Sequence, residues 1–233
     1  MSKQSKSKPL QPKVKLISWT KDPLETVAYV WWNAKTDKLV PSIKEISARI
    51  KKNKKYKQEV EDLFKEVIDM LLPCSRFINF VFSVENVSIS FREQLVRHKV
   101  GMEFWIQGGR VTDTTFFDKG KYRIPEDIAK DEKLKVKYLK HMEATQDVYK
   151  SMRDEGQKFE DARELIPSGA LHRLSFVCNV ESLHNLVSKR TGWLLQGDLW
   201  IPIIQGIVDE LESNDDACSA IFVVSSIPLR AIA

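Results

Sequence analysis

From position 60 to position 72 the apolar side chains keep helical spacing. Val60, Leu63, Phe64, Val67, Ile68, Leu71 and Leu72 form one stripe, and Pro73 stops it. This is the clearest predicted helix, and its stripe is core. Just upstream, Ser42-Ile43-Lys44-Glu45 spells a capping box that starts a short helix. Residues 14–19 alternate and predict a first strand, whereas 23–34 hold an aromatic cluster of Tyr29, Trp31 and Trp32.

Residues 77–84 are nearly all apolar and predict a mostly buried strand. A helix over 87–99 follows, then a loop bracketed by Gly101, Gly108 and Gly109. The β-branched run 111–117 reads as a strand or an extended ligand loop. A lysine-rich helix spans about 132–155, with Tyr138, Met142, Thr145, Tyr149 and Met152 inward and Gly156 as its cap. A short helix over 159–165 ends at Pro167. Leu174, Phe176 and Cys178 alternate with Arg173, Ser175 and Val177, as in a strand with one core face. Another helix covers 181–190. A last one, built on Ile204, Ile207, Val208 and Leu211, is started or kinked by Pro202. Helices and strands intermix without βαβ regularity, so the expected fold is one α+β domain with a mainly antiparallel sheet flanked by helices. Its expected bounds are 14–212, between a disordered basic arm at 1–13 and an extension at 213–233.

With 233 residues, 42% hydrophobic and 30% charged, the chain can build a sizeable core. Cys74, Cys178 and Cys218 are odd in number and far apart, which spells no disulfide framework and points to a reducing, cytoplasmic setting. The four histidines lack metal-ligand spacing, and no metal is expected. No apolar run is long enough to span a membrane, and no secretory leader is read at the N-terminus. The net charge of +5 comes partly from Lys3 to Lys15 and from the block between Lys51 and Lys57. These blocks are read as a loose tail and a solvated face in preference to a nucleic-acid surface.

The chemistry concentrates in two places. In a helix, Gln94, Arg97 and His98 stand at i, i+3 and i+4 and share a face, with Lys99 beside them and Arg110 a loop later. An amide, a guanidinium and an imidazole together suit a planar anionic ligand. The alternative is a solvated helix end, where cations are favoured. The second set is Arg163, Asn179, Asn185, Arg190 and Gln196. Asn179 equally reads as a cap where strand meets helix, and Arg190 as a helix C-terminal cation.

Together the two sets resemble the flavin-dependent thymidylate synthase family. Its R-H-R hallmark reads Arg97-His98-Lys99 here, followed by a spacer and Arg110, with Gln94 three residues ahead. Its A-R-x-x-L-P turn reads Ala162-Arg163-Glu164-Leu165-Ile166-Pro167. Asn179, Asn185 and Arg190 follow in order, then Leu195-Gln196-Gly197-Asp198-Leu199 for A-Q-x-E-I. The spacer lacks the family's serines and is one residue longer, Lys99 replaces an arginine, and Val111 stands where a tyrosine often follows. The S-x-x-E-H flavin segment is reduced to Ser75 within Ser75-Arg76-Phe77-Ile78-Asn79. Near the N-terminus, Ala28-Tyr29-Val30-Trp31 stands where the family has A-R-x-S.

The resemblance implies methylation of dUMP at C5, with methylenetetrahydrofolate as one-carbon donor, FAD as cofactor and NADPH as electron source. It implies a homotetramer with sites between subunits. Arg190 would be catalytic. Gln94, Arg97, Gly108, Gly109, Arg110 and Arg163 would join it around the nucleotide; Ser75, Arg97, His98, Lys99, Asn179 and Asn185 would contact FAD. The rewritten spacer, with Glu103 and Gln107, leaves open another pyrimidine nucleotide such as dCMP, or hydroxymethylation. An inactive nucleic-acid-binding descendant is the further alternative. Trp105 reads equally as a stacking residue or a subunit contact.

Overall fold

A computed structural model describes residues 10–107, 120–190 and 197–214. Four antiparallel strands form its sheet: β1 (Lys13–Trp19), β2 (Asn79–Ser88), β3 (Met102–Ile106) and β4 (Leu171–Asn179), in the order β1-β2-β4-β3. Alternation fixes the register. Phe80, Phe82 and Val84 of β2 and Leu174, Phe176 and Cys178 of β4 point to one core, and Phe82 and Phe176 meet with ring centroids 5.3 Å apart. In β2 the alternation breaks once. Asn86 takes a left-handed conformation (φ 58°), the register to β4 shifts between Val84 and Val87, and the buried positions change parity.

The helices surround this sheet. They are α1 (Pro23–Lys35), α2 (Ile43–Lys52), α3 (Lys54–Asp69), α4 (Ile89–Leu95), α5 (Glu126–Lys130), α6 (Glu132–Asp154), α7 (Phe159–Ala162), α8 (Val180–Arg190) and α9 (Gly197–Glu212). The capping box at α2 is complete, with the Ser42 and Glu45 side chains each accepting the other's backbone N–H. β1 lies at the edge of the sheet, its register to β2 shifts between Leu16 and Ser18, and Glu210 of α9 accepts the Leu16 N–H at 2.7 Å. Close approach of α9 to β1 needs Gly206, since a Cβ there would lie 2.8 Å from the Val14 side chain. Pro202 sits inside α9 and takes away the donor that would reach the Asp198 carbonyl.

Several expectations are corrected. The aromatic cluster at 23–34, to which the sequence pattern assigns no element, forms a helix, α1, with Val27 and Ala28 fully buried. The loop expected after Gly101 contains β3, whose Met102, Phe104 and Ile106 turn to the core while Glu103 and Trp105 face outward. The stripe at 60–72 ends as a helix at Asp69; Leu71 takes φ 47°, and Pro73 opens a 3₁₀ turn (Pro73–Phe77). The run 111–117, the first nine residues and everything after 214 lie outside the described residues. Among the described residues no helix is long and apolar enough to cross a membrane, and no cluster of three metal-binding side chains occurs.

Candidate active site

The helix expected over 87–99 is shorter. Val87 and Ser88 belong to β2, and the Ser88 hydroxyl accepts the Phe91 N–H at 3.3 Å to cap α4. The helix ends at Leu95, and its last carbonyls are taken by a tight turn: Arg97 N–H reaches Gln94 O at 3.4 Å and His98 N–H reaches Leu95 O at 3.0 Å. Gln94 therefore sits on the final turn and His98 just past it. The chain then reverses at Gly101 (φ 67°) into β3.

Asn179 closes β4, and its Oδ1 accepts the Ser182 N–H at 2.9 Å, capping α8. The Ser182 hydroxyl lies 2.7 Å from Val100 O and 2.8 Å from Asn179 Oδ1. No side chain fits at Gly101, because a Cβ would stand 2.3 Å from Ser182 Oγ and 2.5 Å from Asn179 Nδ2. Next to this junction, Val180 N–H donates to Ile78 O at 3.1 Å, and Arg76 pairs with Glu181 in the first turn of α8. The Ser75, Gly101 and Asn179 segments thus meet at one end of the sheet.

Eleven residues along α8, Arg190 turns back onto the end of α4. Its Nε donates to His98 Nε2 at 2.9 Å, Nη1 to Gln94 Oε1 at 3.2 Å, and Nη2 to the Gln94 carbonyl at 3.3 Å. The guanidinium carbon lies 4.5 Å from the centroid of the buried Trp200 ring, and the Trp200 indole N–H donates to Gln94 Oε1 at 2.8 Å. Because His98 Nε2 accepts, the imidazole is neutral with its proton on Nδ1. Burial, then the Arg190 and Lys189 charges, hold His98 below the usual imidazole range. Burial and the charge of Arg97 lower the Arg190 pKa. Three cations thus crowd one corner, and an anion would relieve their mutual repulsion.

The other expected site residues are placed as follows. Arg97 and Lys99 are exposed beside the cluster, and Asn185 is exposed on α8. Ser75 is completely buried, and its hydroxyl has no partner among the described residues. Arg163 is not brought to the cluster: it is exposed, with Glu164 3.8 Å away. Gln107 continues the β3 ladder, exchanging backbone and side-chain bonds with Arg173, and Trp105 is 84% exposed on the outer edge of the sheet. Gly108, Gly109, Arg110 and Gln196 lie outside the described residues.

Trp200 escaped the sequence reading because it sits in an apolar helix pattern. The available signal was its indole N–H, which demands an acceptor when buried. Asp198, two residues before it, pairs with Arg123 and accepts the Glu126 N–H at 2.9 Å, holding the start of α9 to the segment ahead of α5.

Fold and cluster define an α+β protein with a cationic, amide-rich corner of the kind that grips a planar anion. A family model described as thymidylate synthase complementing protein matches residues 15–196. The flavin-dependent thymidylate synthase of Pyrococcus furiosus is 27% identical over 214 residues, covering 88% of this chain and 80% of the relative. That of Clostridium tetani is 26% identical over 206 residues, covering 79% and 76%. A crystal structure of thymidylate synthase X from Helicobacter pylori with FAD and dUMP shares the fold, with a TM-score of 0.56 at 13% identity over 89% of this chain and 98% of that one. The chain belongs to the thymidylate synthase complementing protein family.

Proposed function

We propose that this chain is an FAD-dependent methyltransferase that converts dUMP to dTMP, using methylenetetrahydrofolate and NADPH. The single observation that carries the reading is the Arg190–Gln94–His98 cluster with Arg97 beside it, in a chain of this family. C5 of the pyrimidine attacks a one-carbon electrophile from an enolate-like form of the ring, in which negative charge sits on a ring carbonyl oxygen. A fixed guanidinium at that oxygen lowers the barrier by about 3–4 kcal/mol. Arg190 has that role in this proposal, because it is held at all three of its nitrogens without an acidic partner among the described residues.

Arg97, Arg110 and Arg163 hold the phosphate, helped by Gln94 and the backbone amides of Gly108 and Gly109. The separation of Arg163 from the cluster supports its serving a neighbour's site in a homotetramer. A protein nucleophile is not required. In agreement with that, Cys74 and Cys178 are buried, and burial pushes both thiols up, away from the reactive thiolate.

FAD, when bound and reduced, supplies the electrons that turn the transferred carbon into a methyl group. The donors present suit it. Arg97 and Lys99 offer exposed cations to its pyrophosphate, Asn185 an exposed amide, and His98 a neutral ring; Ser75 and Asn179 lie at the adjoining end of the sheet.

The test is an absorbance spectrum of the purified protein with added FAD, followed by turnover of dUMP with methylenetetrahydrofolate and NADPH and dCMP in parallel. The proposal expects a bound flavin spectrum and dTMP. A folded protein that binds no FAD, or one that modifies dCMP and ignores dUMP, contradicts it.

A further inference from the structure

Trp200 has no part in the chemistry described above, yet it meets Gln94, Arg190 and His98 of the cluster. Its ring is completely buried, wedged against Phe91 at 4.6 Å between centroids, with His98 edge-on at 6.3 Å. On the face toward α8 it carries the Arg190 guanidinium at 4.5 Å. Its N–H donates to Gln94 Oε1, the same oxygen that accepts from Arg190 Nη1. One rigid group therefore sets the plane of the guanidinium and decides which end of the Gln94 amide is the acceptor.

The way Arg190 is held is unusual for a half-buried arginine. Guanidiniums in such places are commonly fixed by a carboxylate, which also cancels their charge. No carboxylate lies in ion-pair distance of Arg190 among the described residues; its supports are a neutral imidazole, an amide, a carbonyl and a π face. A π face orients a cation without neutralising it.

We propose that Trp200 is a positioning residue that holds Arg190 and Gln94 in place of an acidic partner, so that the corner stays positively charged for its ligand. For the identity of that ligand the inference rests on the proposed function; the clamp itself exists in the free protein.

The experiment compares wild type, Trp200→Phe and, as a control, Phe82→Leu, a fully buried aromatic elsewhere in the core. Trp200→Phe keeps a ring but loses the N–H; Trp200→Tyr replaces it if that variant does not fold. Three quantities are read: dUMP affinity by calorimetry, kcat and KM for dTMP formation, and the NMR titration of His98 without any nucleotide. Trp200→Phe is expected to weaken dUMP binding five- to tenfold, lower kcat about tenfold and bring the His98 titration up toward pH 6.5 as Arg190 drifts from it. Phe82→Leu is expected to lower the melting temperature alone. Unchanged His98 titration in the Trp200 variant, or the same shift in Phe82→Leu, overturns the inference. If wild type binds no dUMP, the proposed function fails, while the His98 titration still decides the role of Trp200.

Discussion

Arg190 and His98 lie 92 residues apart in the chain and meet through a 2.9 Å bond in which the guanidinium Nε donates to an unprotonated imidazole Nε2. The bond joins the end of α8 to the turn after α4 and makes one cluster of two distant sequence motifs. It also sets a protonation state, because a protonated His98 would face Arg190 with a donor and a like charge.

Replacing Arg190 with alanine removes the donor proposed for the developing oxyanion. The side chain is held at the edge of the core and leaves no large cavity, so the variant is expected to fold. Its kcat is expected to fall about 10²–10³-fold, and Arg190→Lys is expected to recover only part of this, because an ammonium lacks the planar fork. Circular dichroism with steady-state kinetics checks both points; near-normal turnover in the alanine variant would refute the role.

Gly101 predicts a stability effect. Alanine there must keep φ at 67° and place a methyl carbon 2.3 Å from Ser182 Oγ. A loss of about 1–3 kcal/mol is expected in urea unfolding. Flavin affinity should fall with it, since the shifted turn carries Lys99. A variant as stable as wild type would show that the junction yields easily.

Asn179 caps α8 and, in the proposed function, contacts FAD; substitution separates the two roles. Its Oδ1 caps α8, so Asn179→Ala is expected to cost about 1 kcal/mol, whereas Asn179→Ser keeps a capping oxygen and most of the stability. If the amide also contacts the flavin, both variants bind FAD more weakly. Full FAD binding by the stable serine variant assigns Asn179 to the cap alone.

His172 predicts acid sensitivity. It is buried in β4 opposite Val87, and burial together with the Arg92 charge depresses its pKa to about 4. The folded protein keeps it neutral where the unfolded chain takes up a proton near pH 6.5. Its contribution is therefore complete above pH 6.5 and is lost as the pH falls toward about 4, by on the order of 3 kcal/mol. Melting temperatures across that range should fall less steeply for His172→Leu. Parallel curves would exclude His172 as the cause.

Much of this was legible in the chain, for identifiable physical reasons. The Ser42–Glu45 box and the alternation in β4 are local signals, and the structure keeps both. The nearness of Gln94 and Arg190 was legible only through the family pattern, since no local rule links residues so far apart. The helix expected over 87–99 was too long at both ends, because Val87 and Ser88 resume the β2 ladder opposite His172 and Leu171 and a 3₁₀-like turn follows Leu95, neither of which spacing reveals. β3 was hidden by the glycines around it, although Met102, Phe104 and Ile106 do alternate. Trp200 was hidden by helical periodicity, which reads a buried indole as packing and is silent on its N–H.

The central claim is that the corner built by Arg190, Gln94, His98 and Arg97 receives the pyrimidine nucleotide. A crystal structure of the protein soaked with dUMP and FAD tests it most directly. The account predicts a pyrimidine carbonyl oxygen within hydrogen-bond distance of the Arg190 guanidinium and the phosphate against Arg97. Clear density for dUMP elsewhere, with the Arg190–His98 bond undisturbed and no ligand atom near it, would contradict it.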